Sequence, residues 1–215
     1  TISNNVITNN SGCGVSCAIF SNATIKGNTL ASNGAGIGVS RYSNPIIQGN
    51  NLSLSKWGVD IWDHSSPVIQ GNTISSNWGG GISCDDYSNP IIQGNDITLN
   101  REEGIRISNG SRPEIHWNNI YGNGHFGVIN DDPTMVINAT YNYWGSPEGP
   151  GGNVSANVAY NPWLNEPIIV VGITSPLQGA MVSGVVTVMV DARAVKGIST
   201  VRFYLDGVLV HTDYD

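Results

Sequence analysis

Two carboxylates, Asp63 and Asp86, stand one repeat apart in a chain whose sequence recurs every 22 to 23 residues, and Asp85 lies beside the second. Residues one period apart in such a repeat become spatial neighbours, so the two acids are expected ~5 Å from each other. Arg41 occupies the same column one repeat earlier, and His64 and Tyr87 occupy the column next to it. Carboxylates this close repel when both are charged, which lifts one pKa toward the general-acid range or creates a cation site with Ca2+ as the ion. Their spacing is also that of the acid pair in retaining glycosidases. Against this stands a solvent-facing polar turn, where stacked acids are ordinary. Asp63, Asp85 and Asp86 are the candidate catalytic residues.

A second chemistry is suggested by Trp57, Trp62, Trp78 and Trp117, which fall at turn or outward positions of the repeat. Indole faces stack on sugar rings, and an outward column of Lys26, Gln48, Gln70, Gln93 and His116 would hydrogen-bond hydroxyls along the repeat axis. Trp57, Trp62, Trp78, Gln48, Gln70 and Gln93 are therefore candidate carbohydrate-binding residues. The structural alternative has Trp57 and Trp78 packing over neighbouring turns and the glutamines bonding one another as an amide ladder.

Metal chemistry finds little support. His64, His116, His125 and His211 show no paired ligand spacing. Cys17 and Cys84 share an inward column three repeats apart, ~14 Å at the strand spacing, which is beyond disulfide reach. They read as small buried apolar residues, and Cys13 lies at a turn with no evident partner. Asp131-Asp132 before Pro133 reads as turn chemistry. The sequons at Asn9, Asn22, Asn51, Asn109, Asn138 and Asn153 are near chance in a chain this rich in Asn, Ser and Thr. No metal site is expected, and no cofactor beyond the Ca2+ that paired carboxylates would take.

The elements that must position these residues follow from the repeat. Isoleucines recur at Ile2, Ile25, Ile47, Ile69, Ile92, Ile115 and Ile137, and asparagines at Asn5, Asn28, Asn50, Asn72, Asn95 and Asn118. Glycine precedes a third apolar column at Gly14-Val15, Gly36-Ile37, Gly58-Val59, Gly81-Ile82, Gly104-Ile105 and Gly127-Val128. Within a unit, apolar residues alternate over two to five positions and then meet Gly, Asn or Pro, as short strands between tight turns do. Three such strands cannot bury their inward faces alone, but coils stacked ~4.8 Å apart turn each column into a continuous ladder. The fold expected is an all-β parallel β-helix solenoid of about six coils. Its asparagines suit a turn in which Asn takes left-handed φ and its amides bond up and down the stack.

Composition agrees. With 27 Gly, 26 Asn and only 12% charged residues the chain is poor in helix formers, while 40% hydrophobic residues suffice for a core. A net charge of −7 with nine scattered Lys and Arg lacks the basic footprint of nucleic-acid binding. No apolar run reaches a membrane span. The opening Thr1-Ile2-Ser3, with no initiator Met or signal pattern, reads as a start inside a longer polypeptide.

The repeated Gly-Asn-x-Ile/Leu and Gly-Ile/Val-x-Ile units are followed by Tyr143-Trp144-Gly145-Ser146-Pro147-Glu148-Gly149-Pro150 and Tyr160-Asn161-Pro162-Trp163-Leu164. Residues 1 to about 165 resemble the right-handed parallel β-helix repeat proteins, including the NosD-like and carbohydrate-binding/sugar-hydrolase (CASH) groups. The aromatic segment suits a C-terminal cap over the last coil. The signatures of the pectinase-like hydrolases that share the fold are not assembled here, since Asp85-Asp86 lacks its companions, and no Met/His cluster supports a copper role like that implied by NosD.

From Pro167 onward Asn disappears and Val becomes abundant. Val186–Val190 and Val201–Leu205 alternate at period two, and Asp206-Gly207 before Val208-Leu209-Val210 signals a hairpin. Together with Ser175-Pro176-Leu177 and Val182-Ser183-Gly184, this stretch resembles the first half of a bacterial immunoglobulin-like module, giving domains 1–165 and 166–215. A full sandwich needs ~100 residues, so the second is expected to be incomplete. The resemblances imply a secreted or cell-surface protein with a non-catalytic carbohydrate-binding, adhesive or scaffold role. The alternative is a polysaccharide lyase or glycoside hydrolase using the stacked carboxylates.

Overall fold

The computed structural model describes residues 1–175, 181–193, 200–205 and 208–214, and the chain divides into two units, Thr1–Glu166 and Pro167–Asp215. The first is a parallel β-solenoid of about seven turns. Six turns each give one short strand to three six-stranded parallel sheets. The first sheet runs from Ile2–Ser3 to Glu114–His116, the second from Val6–Thr8 to Asn119–Tyr121, and the third from Cys13–Cys17 to Val128–Asn130. The seventh turn, through Ile137–Asn138 and Val158–Ala159, is the cap itself. Among the described residues there is no helix, hence none long and apolar enough to cross a membrane.

Registers are those of the repeat, with Ile47 pairing with Ile69, Leu52 with Ile74 and Ile37 with Val59. The inward side chains of all three sheets meet in one core, and those from Ile25 to Ile107 are buried almost without exception. Each fully buried aliphatic side chain contributes ~1.5–3 kcal/mol, so the core grows with every coil. Trp144 and Val158 close its end, with Tyr160 and Trp163 packed against them.

What keeps the coils in step is found at the corners. At the first corner Asn4, Gly27, Gly49, Gly71, Gly94 and Trp117 take left-handed φ, and the asparagine that follows does not. This corrects the expectation that the asparagines themselves are left-handed. Gly supplies that conformation without a Cβ penalty, which frees Asn to turn its amide into the stack. The Asn50 N–H donates to Asn72 Oδ1 at 2.8 Å, the Asn72 N–H to Asn95 Oδ1 at 2.9 Å, and the pattern runs from Asn5 to Asn142.

The other two corners repeat the device with different residues. Asn10, Asn33, Ser55, Asn77, Asn100 and Asn123 form a second ladder. Ser21, Ser43, Ser65, Ser88 and Ser111 form a third, each N–H donating to the next hydroxyl at 3.0 to 3.2 Å. At each corner one N–H per coil thus meets a side-chain oxygen of the next coil where the strand ladder is interrupted.

In the second unit Val170–Ser175 pairs antiparallel with Met189–Arg193, and Thr200–Leu205 with Val208–Tyr214. The strand expected at Val186–Val190 begins at Met189, because its register with Val170–Ser175 starts there. Pro176-Leu177 and Asp206-Gly207 lie outside the described residues.

Two paired substitutions test this account by chemical denaturation. A Cβ on Gly81 would stand 2.5 Å from the Gly104 carbonyl oxygen and 2.8 Å from Ile97 Cγ2, whereas one on Gly49 meets nothing within 4 Å. Gly81→Ala is therefore expected to cost about 3 kcal/mol by overpacking, and Gly49→Ala only the left-handed penalty of ~1 kcal/mol. Asn72→Ala, which orphans the Asn50 N–H, is expected to cost at least ~2 kcal/mol. Gln70→Ala on the outer surface should stay within ~0.5 kcal/mol.

Candidate functional site

The glycine of each third-sheet strand decides which side chains face outward there. A Cβ on Gly58 would point into the core against Ile74 and the Asn77 amide, and the next residue, Val59, is buried as well. Two successive inward positions leave Trp57 and Asp60 on the outer face of the strand Trp57–Ile61, and Trp62, the residue after it, faces outward as well. Neither indole stands upright. The ring of Trp57 lies over Gly80 of the following coil, where any Cβ would run into it, and Trp62 Cη2 is 3.4 Å from the Cβ position of Gly38 in the preceding coil. Both are part-buried, Trp57 with its six-membered ring over Gly80 and Trp62 with the tip of its ring at Gly38.

Asp60 sits between them. Burial raises its carboxyl pKa above the ordinary value, the Ser83 hydroxyl and Lys56 oppose that rise, and Asp85 adds to it. Cys13 lies against Gly38, and its thiol is pushed up by burial and by Asp60. Asp85 Oδ1 accepts the Ser108 hydroxyl at 3.0 Å and the Asp86 N–H at 2.9 Å. Further along the face Arg106 Nε is held by Asp131 at 2.8 Å, with the buried Glu103 carboxylate at 3.8 Å.

The candidate acids are divided by this geometry. Asp85 belongs to the third-sheet face, while Asp63 and Asp86 occupy the third corner with φ of 55° and 49°. Asp63 Oδ1 is 3.3 Å from His64 Nδ1, and Asp86 Oδ1 takes a long 3.5 Å bond from Asn109 Nδ2. Arg41 shares their column and their left-handed backbone. Next to them runs a stack of exposed rings, Phe20, Tyr42, His64 and Tyr87, with centroids 5.6, 4.9 and 5.4 Å apart. Rings stacked on one another offer a ligand mainly their edges. Beyond Tyr87 an open depression of about 810 Å³ is bounded by Asp86, Arg112, Asp132 and Met135.

Among the other candidates, Gln93 Nε2 donates to Gln70 Oε1 at 3.4 Å, the amide-ladder contact, and Gln48 lies one coil earlier in the same column. Trp78 is exposed, and Trp117 is stacked on Tyr141 at 5.1 Å. Cys13, Cys17 and Cys84 are all free, and burial drives the Cys84 thiol far upward. Among the described residues no three His, Cys, Asp or Glu side chains come together to hold a metal ion.

Sequence reasoning passed over Asp60, whose column reads Ser16, Gly38, Asp60, Ser83, Arg106. The available signal was a lone acid between two buried aliphatics, with tryptophans three residues before it and two after. The second Asn ladder and the Ser ladder were also passed over, though both recur at the repeat spacing.

Residues 1–141 match the family described as right handed beta helix region, and the chain belongs to that family. Residues 170–215 match a bacterial Ig domain. Domains of both kinds are commonly extracellular or surface-associated. No curated protein and no solved structure matches the chain.

Because burial raises the Asp60 pKa, the folded state keeps this proton at pH values where the unfolded chain has released it. The stability contributed by this group is present at low pH and is lost as pH rises through the folded-state value. Asp60→Asn is therefore expected to raise Tm near pH 7 and to leave it unchanged near ~pH 3, below the ordinary Asp value, in melts followed by circular dichroism.

Proposed function

We propose that the solenoid is a non-catalytic carbohydrate-binding module of a surface protein, and that the outer face of the third sheet carries the binding site. The observation that supports this reading is the disposition of Trp57 and Trp62. Two part-buried indoles, one over Gly80 and one reaching Gly38, with Asp60, Ser83 and Asp85 between and beside them, combine apolar ring surface with hydrogen-bonding groups. A sugar presents the same combination of apolar ring face and hydroxyl rim. The third-corner rings are stacked on one another, and Gln70 and Gln93 bond each other, so both are less suited to the task.

A second reading, polysaccharide cleavage, draws on Asp60 and Asp85 as neighbouring carboxyls of which Asp60 is biased toward its protonated form. The experiment that separates the two uses the full chain on immobilised neutral and acidic polysaccharides, with and without Ca2+, following retention and polymer length together. Retention with unchanged polymer length is expected. Trp57→Ala should weaken retention about tenfold, the effect of removing one aromatic platform. Shortening of the polymer that Asp60→Asn abolishes would establish the cleavage reading instead.

A further inference from the structure

The placement of the two indoles says more about the ligand than that it is a sugar, and this step rests on the carbohydrate-binding reading above. We infer that the site takes an extended, uncharged polysaccharide chain lying obliquely across the third sheet between Trp57 and Trp62. The chain would not run along the solenoid axis, and a single sugar unit would not fill the site. Trp57 opens the strand Trp57–Ile61 and Trp62 is the residue that follows it, so the two are five residues apart, ~15 Å along the strand direction. Their rings lean opposite ways, Trp57 onto the following coil at Gly80 and Trp62 onto the preceding coil at Gly38. That adds up to ~10 Å of offset along the axis, one coil spacing each way. A disaccharide is too short to touch both rings, so the platforms act together only on a longer chain.

Charge selects among such chains. Asp60 and Asp85 lie on the path, Lys56 offsets Asp60 alone, and Arg106 is already held by Asp131 and Glu103. A polymer of uronic or sulfated sugars would bring negative charge to a face of the same sign in a protein of net charge −7. An axial path is the competing geometry. The column of Trp57 leads through Gly80 and Glu103 to Phe126, a part-buried ring three coils on, with no tryptophan between.

Calorimetric titration of the full chain with cellulose-, xylan- and chitin-derived oligosaccharides, from monomer to hexamer, tests this, with polygalacturonate oligomers as the anionic arm. Affinity for at least one neutral series is expected to rise about tenfold between the dimer and the pentamer, the gain from engaging a second aromatic platform. Trp57→Ala and Trp62→Ala should each abolish that rise, while Phe126→Ala and the ring-conserving Trp62→Tyr keep it, with melting temperatures checked for all four. A length dependence abolished by Phe126→Ala and kept in Trp62→Ala overturns the oblique path. Equal affinity for monomer and hexamer overturns the extended ligand, and tighter binding of polygalacturonate overturns the uncharged one, both leaving the carbohydrate-binding reading intact. Failure of every series to bind the unmodified chain overturns that reading and the inference with it.

Discussion

The structure depends on one constraint. At each corner the strand ladder breaks, and a backbone N–H that would otherwise bond the neighbouring coil needs another acceptor. A buried N–H left without one costs as much as a lost hydrogen bond, and here the cost would recur at three corners of every coil. The side-chain oxygens of Asn28 through Asn142, of Asn33 through Asn123 and of Ser43 through Ser111 remove it. Each ladder works only when a side-chain oxygen, of Asn or Ser, returns at the same place, so the polar groups enforce the period that the aliphatic core by itself would let slip. Shifting a strand by one residue would bury the polar face and also break all three ladders.

That constraint leaves the outer surface free to vary. The left-handed residues before the ladders absorb the turning of the chain, two in succession at the third corner. Hence a corner carries Ile19, Arg41, Asp63, Asp86 and Asn109 in one column, and a stack of aromatic rings in the next. On the third sheet the inward glycines shift the alternation so that one strand and the residue after it present Trp57, Asp60 and Trp62 together. Gly80 and Gly38, having no side chains, give the indoles a bed. Backbone regularity thus positions an irregular cluster, which is how a scaffold of identical coils acquires one distinctive place.

The coil was legible in the sequence because period-two alternation, Gly and Asn recur with the strand and turn that they build. Ile47, Ile69 and Ile92, or Asn50, Asn72 and Asn95, need only be aligned to be placed. The cap was legible for the same reason, since Trp144 and Trp163 interrupt the pattern where the core must be closed. The candidate site was less so. Aligned acids drew attention to Asp63 and Asp86, which sit at a corner and engage corner neighbours, whereas Asp60 has no acid above or below it in its column. Its environment depends on where two indole rings lie, and that depends on glycines in the coils before and after. Side-chain direction across coils is not written in any single column.

Native-state hydrogen exchange at the corner amides tests the central claim most directly. The N–H groups of Asn50, Asn72 and Asn95, and of Ser43, Ser65 and Ser88, are expected to exchange as slowly as those of Ile47, Ile69 and Ile92 in the adjoining strands, opening only with the whole stack. Exchange at those corners as fast as in an exposed turn, with the strands still protected, would contradict the account and leave the core alone to hold the coils in register.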